Sequence, residues 1–106
     1  RLTVAEFAEL AGGPDGPVVI DVRNPGETRL GTIPGALTVP LAILRSGLDR
    51  FDRRRPVVVY CGSGNRSVVA MSLLRAHGFT DVADLLGGYS AWSARSGESV
   101  PAMPSR

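Results

Sequence analysis

Two short runs, Val18-Val19-Ile20-Asp21-Val22 and Val57-Val58-Val59-Tyr60, are apolar and β-branched at successive positions. A strand with one wet face alternates apolar and polar residues, so the absence of alternation points to strands buried on both faces. Burial of that kind belongs to a parallel sheet covered by helices on each side.

The residues around these runs supply the helices. Thr3-Val4-Ala5-Glu6 forms a capping-box pattern ahead of Phe7, Leu10 and Ala11, and Gly12 to Pro17 breaks the helix that starts there. Leu37-Thr38-Val39 reads as a minor strand stopped by Pro40, and Leu41 to Leu48 as a helix. Ser67 is placed to cap a helix with Val69, Ala70, Leu73, Leu74 and Ala76 at helical spacing, closed by a left-handed Gly78. A strand over Val82 to Leu86 and a helix over Tyr89 to Arg95 follow. Strand and helix therefore alternate, which predicts an α/β fold with right-handed crossovers.

With 106 residues, 43% of them hydrophobic, the chain can bury one core without metal or disulfide support. We expect residues 1–100 to form one domain and residues 101–106 a tail, and a chain opening on Arg1 is expected to be a piece of a longer protein. The net charge of +2 arises from 12 Arg against 10 acids, and the basic run Arg53-Arg54-Arg55 reads as a solvated loop; neither suggests nucleic acid as a partner. No apolar run is long enough for a membrane helix. A single cysteine precludes an internal disulfide and leads us to expect a reducing, cytoplasmic setting.

That cysteine stands in Val57-Val58-Val59-Tyr60-Cys61-Gly62-Ser63-Gly64-Asn65-Arg66-Ser67, where a buried strand ends and a helix begins. In open parallel sheets ligands sit beyond the carboxyl ends of the strands. Two glycines allow the loop amides to converge, and those amides with the helix dipole favour an anion at the centre. A thiolate is such an anion, so the thiol pKa should fall and Cys61 should act as a nucleophile, not as a packing residue. Arg66 can face an anionic donor or brace the loop. Asp21 and Arg23 end the first long strand at the same sheet edge; Asp21 is expected to accept from loop amides, and Arg23 and Glu27 to pair locally.

These residues resemble the rhodanese family. "IDVRNPGETRLGTIPGA" is similar to its first signature, "VVVYCGSGNRS" to its active-site loop and "LLRAHGFTDVADLLGGYSAW" to its closing segment. The resemblance implies a five-stranded parallel sheet with helices on both faces. It also implies sulfur transfer from thiosulfate or a persulfide donor to a thiol acceptor or cyanide, through a Cys61 persulfide held by residues Gly62, Ser63, Gly64, Asn65, Arg66 and Ser67, with no metal or organic cofactor. Thr32 stands where the family usually carries a His. The closing segment resembles rhodanese domains fused to metallo-hydrolases of the persulfide dioxygenase kind, which implies a fused or associated domain as a partner. Two rival readings are a silent binding or regulatory module on the same fold, and a cysteine phosphatase or arsenate reductase. The latter resemble a cysteine followed by five residues and Arg, whereas four residues separate Cys61 from Arg66.

Overall fold

The computed structural model describes residues 1–11 and 16–96. Helix α1 (Val4–Ala11) leads to strand β1 (Val18–Asp21), helix α2 (Pro25–Thr28), strand β2 (Leu37–Thr38) and helix α3 (Leu41–Leu44). A 3₁₀ turn at Arg45–Arg50 precedes β3 (Val57–Tyr60), α4 (Arg66–Ala76), β4 (Val82–Asp84) and α5 (Gly88–Ser96). The strands form one parallel sheet in the order β2-β1-β3-β4.

Among the described residues four strands, not the five implied by the resemblance, make up that sheet. The place beside β4 is held by a single parallel bridge, Leu2 to Leu85, in which the Leu2 amide donates to the Asp84 carbonyl and the Leu86 amide to Leu2. Thr3 explains why the strand extends no further: its hydroxyl accepts from the Glu6 amide while its own amide donates to Glu6, which starts α1 at once.

Successive side chains of β3 enter different cores, which accounts for its unbroken apolar run. Val57 and Val59 pack with Ile20, Val22, Leu44, Leu48, Ala70, Leu74 and Phe79, between the sheet and α3 and α4. Val58 and Tyr60 pack with Phe7, Ile33, Leu85 and Trp92, on the face covered by α1 and α5. Burying each such aliphatic side chain contributes about 1.5–3 kcal/mol, so β3 ties both layers to the sheet.

Gly78, at φ +95°, ends α4 as expected, its amide donating to the Arg75 carbonyl and the Phe79 amide to Leu74. His77 Nδ1 lies 3.0 Å from the Leu73 carbonyl, within that same terminus. Val69 is exposed, so α4 buries Ser67, Ala70 and Leu74. The 101–106 tail and most of the Gly12 to Pro17 break lie outside the described residues.

The register places Asp21 opposite Tyr60, and Asp84 opposite Val59. Three neighbouring strands therefore deliver Asp21, Cys61 and Asp84 to one edge of the sheet. It is the carboxyl edge, where parallel sheets carry their sites.

Candidate active site

The chain leaves β3 at Cys61 and turns back into α4 within five residues. Gly64 adopts φ +113°, a conformation that L side chains rarely take, and its amide points at the sulfur with N···Sγ 3.1 Å. The Ser67 amide approaches the sulfur at 3.4 Å. Burial pushes the Cys61 thiol pKa up, but the Ser67 amide and hydroxyl and the amides of Gly64 and Ser63 pull it down, and the donors prevail. The thiol is held below its ordinary value although the residue is only 1% exposed.

The carbonyls of the same loop are satisfied on its other side. Tyr89 N–H donates to the Cys61 carbonyl at 2.8 Å and Ser90 N–H to that of Gly62 at 3.0 Å, both from the first turn of α5. An α-helix leaves its first amides without internal partners, and here two of them hold the loop carbonyls away from the sulfur. Gly88 makes this approach possible. At φ +59° a Cβ on Gly88 would overlap the Cys61 carbonyl oxygen and stand 2.9 Å from that of Gly62.

The four charged residues expected from the sequence, Asp21, Arg23, Glu27 and Arg66, are present at this edge, with different pairing. Arg23 does not pair with Glu27. Its guanidinium donates to Asp21 at 2.8 Å and to the Gly31 carbonyl at 2.7 Å, and lies 4.1 Å from the Tyr89 ring centroid. Alternation along an extended chain puts residues 21 and 23 on one side, so the buried Asp21 carboxylate is nearer than Glu27. Asp21 also accepts the Arg23 amide at 2.9 Å, as a structural acceptor should. Glu27 instead receives Arg66 as a fork, at 2.6 and 2.9 Å, and the Asn24 amide at 3.1 Å. Arg66 thus braces α2 against the start of α4. Ser63 and Asn65 face solvent and Gly62 is half-buried, so what Ser63 offers the sulfur is backbone.

The Arg66 fork, above all, holds the Glu27 pKa at about 2, below its ordinary 4.5. A depressed carboxylate contributes stability that is complete above the unfolded value and is lost as pH falls through the folded one. The loss should therefore run from about pH 4.5 to about pH 2. Both side chains are more than a third exposed, so the contribution is screened and should stay within about 1 kcal/mol. Carboxyl titration followed by NMR should give Glu27 the lowest midpoint of the glutamates, and a midpoint near 4 would mean that the fork does not form in solution.

Ser67 does not cap α4, since Asn65 is the residue preceding it. Its hydroxyl, fully buried, reaches the Gly64 carbonyl at 3.3 Å and Asp84 Oδ2 at 3.0 Å. Asp84 is fully buried as well and takes Arg1 Nε and Nη2 at 3.1 Å, while Arg1 Nη2 also donates to the Gly64 carbonyl at 2.9 Å. Sequence reasoning missed both residues. Asp84 ends β4 as Asp21 ends β1, and that signal was obscured by expecting the strand to reach Leu86. Arg1 carries no local signal, because its partner is 83 positions away.

A rhodanese-like domain model matches residues 3–95. The chain belongs to the rhodanese-like domain family. Among relatives of this rhodanese-like domain, a sulfurtransferase of Allochromatium vinosum is 38% identical over 85 residues, 80% of this chain and 78% of the other. The thiosulfate sulfurtransferase GlpE of Ectopseudomonas mendocina is 35% identical over 94 residues, 89% of this chain and 84% of its own. A human single-domain sulfurtransferase superposes with TM-score 0.85 at 26% identity, covering 91% of this chain and 96% of that one. Other curated relatives are much longer, this chain spanning only 20% of some of them. No helix among the described residues is long and apolar enough to cross a membrane.

Proposed function

We propose that this rhodanese-like domain transfers a sulfane sulfur, from thiosulfate or a persulfide donor to a thiol acceptor, through a persulfide on Cys61. The observation that carries the reading is the buried sulfur at 3.1 and 3.4 Å from the Gly64 and Ser67 amides. Cys61 thiolate attacks the outer sulfur of thiosulfate; a new S–S bond forms, the old one breaks, and sulfite leaves with the bonding pair. An acceptor thiolate then attacks the terminal sulfur and takes it, and Cys61 thiolate departs. Negative charge stays on sulfur in both steps, and the amides that stabilise the thiolate also stabilise the persulfide anion. Because Cys61 is 1% exposed, the donor must present a single projecting sulfur atom, which thiosulfate and persulfides do. Residues Gly62, Ser63, Gly64, Asn65, Arg66 and Ser67 form the persulfide loop, with Asp21, Arg23 and Glu27 supporting it.

The geometry speaks against phosphate chemistry on two counts. A phosphatase uses its loop arginine on the oxyanion, whereas Arg66 is occupied by Glu27. The loop of four residues between Cys61 and Arg66 also gives a narrower ring of amides. A silent binding module has no use for a thiol whose pKa its surroundings depress. Cyanide-dependent thiosulfate turnover and aryl-phosphate hydrolysis, assayed side by side on the domain, separate the three readings. We expect the first and not the second; phosphate hydrolysis without sulfur uptake would replace this proposal, and neither activity would favour the binding module.

A further inference from the structure

Three acceptors around the Ser67 hydroxyl compete for one proton. Ser67 has a single hydroxyl hydrogen: Asp84 Oδ2 lies 3.0 Å and the Gly64 carbonyl 3.3 Å from Ser67 Oγ, and the Cys61 sulfur, 3.4 Å from the Ser67 amide, has its thiol pKa lowered by the same hydroxyl. Cys61, Ser67 and Asp84 are all buried, so bulk solvent does not relieve the competition. A carboxylate is a stronger acceptor than a carbonyl or a neutral thiol, and the Ser67 proton goes to Asp84.

We propose that Asp84 is a positioning residue for the sulfur, acting through Ser67: it withholds the hydroxyl proton from Cys61 and so limits how much of the thiol is ionised. The consequence is a relay in which a thiol S–H faces the Ser67 oxygen while the Ser67 proton faces Asp84. When negative charge develops on sulfur, the hydroxyl has to turn and leave the carboxylate. Arg1 moderates the competition. Its guanidinium takes both Asp84 oxygens and leaves the carboxylate with less demand on Ser67, while Arg1 Nη2 also ties the Gly64 carbonyl. Other charges near Cys61 do not make this connection: Arg66 from α4 is held by Glu27 of α2, and Asp21 at the end of β1 by Arg23.

The decisive substitution is Asp84→Asn. An asparagine turns its oxygen to Arg1, which leaves its NH₂ facing Ser67; Ser67 Oγ then accepts from the amide, and its own proton is released to the sulfur. The inference rests on Cys61 being the nucleophile of the proposed transfer, but its test needs no sulfur donor. The pH profile of iodoacetamide alkylation reads the thiolate directly, so an inert sulfurtransferase assay and an uncoupled Asp84 are separate results.

We expect D84N to move the alkylation inflection down by about half a pH unit or more, roughly threefold more thiolate below the inflection. Ser67→Ala should move it up, and the double variant should match Ser67→Ala alone, because the effect of residue 84 passes through the hydroxyl. Circular dichroism checks the fold, and Asp84→Ser, uncharged and smaller, is read in the same way if the amide variant does not fold. An inflection that D84N leaves in place or raises would overturn the proposal. So would an equal downward shift in the Ser67→Ala background, which would make Asp84 a plain electrostatic neighbour, or a Ser67→Ala profile identical to wild type.

Discussion

Treated with thiosulfate, the intact protein should gain one sulfur atom, and the Cys61→Ser variant should gain none. The chain has one cysteine, so the adduct has one thiol to occupy, and mass spectrometry reads it without ambiguity of site. Serine fills nearly the same volume and keeps the loop, but its hydroxyl lies far from ionisation near neutral pH. The donors that hold the Cys61 thiol below its ordinary pKa cannot make an alkoxide. Loss of a covalent nucleophile removes the double-displacement route altogether, and turnover should fall by on the order of 10⁶, to background. Excess thiol or cyanide should strip the sulfur from the wild type and restore the original mass. An equal adduct on the serine variant would place the sulfur elsewhere and end the assignment.

The parts of this molecule that could be read from its sequence are those written in neighbouring residues. The unbroken runs at Val18 and Val57 gave away a doubly covered parallel sheet, and the box formed by Thr3 and Glu6 and the stop at Gly78 sit where local chemistry puts them. The position of Cys61 at a strand end was enough to locate the loop. What stayed hidden depends on distance across the fold. Glu27 finds Arg66 at a separation of 39 positions and Arg1 finds Asp84 at 83, and neither pair has a periodicity that a linear pattern could reveal. Ser67 has the right residue type for a helix cap, yet Asn65 takes the cap position of α4, and the Ser67 hydroxyl donates to the buried Asp84 carboxylate instead. The fifth strand that the family resemblance implies is cut short for a related reason. Thr3 commits its backbone to the capping box, and one bridge at Leu2 is all that pairing retains.

Gly88 is the position where fold and site are hardest to separate, and Gly88→Ala should damage both. A residue other than glycine at φ +59° costs roughly 1–2 kcal/mol by itself. The larger cost comes from space, because the new methyl would overlap the Cys61 carbonyl oxygen, a backbone atom that cannot swing aside. Helix α5 has to retreat, and the hydrogen bonds from the Tyr89 and Ser90 amides to the Cys61 and Gly62 carbonyls are lost with it. Two loop carbonyls left without donors cost about 1–3 kcal/mol each, that of half-buried Gly62 toward the low end. The total, roughly 3–8 kcal/mol, is a large share of the 5–15 kcal/mol that a domain of this kind has. At about 4–8 °C per kcal/mol, the melting temperature should fall by at least 12 °C or so. Freed carbonyls would also turn toward the sulfur and oppose its negative charge, so alkylation of Cys61 near neutral pH should slow even below the melting transition. Gly26→Ala is the control: nothing lies within 4 Å of a Cβ there, and it should leave both measurements near wild type. A Gly88→Ala protein that melts and alkylates like the wild type would show that α5 does not hold the loop in the way its two amides suggest.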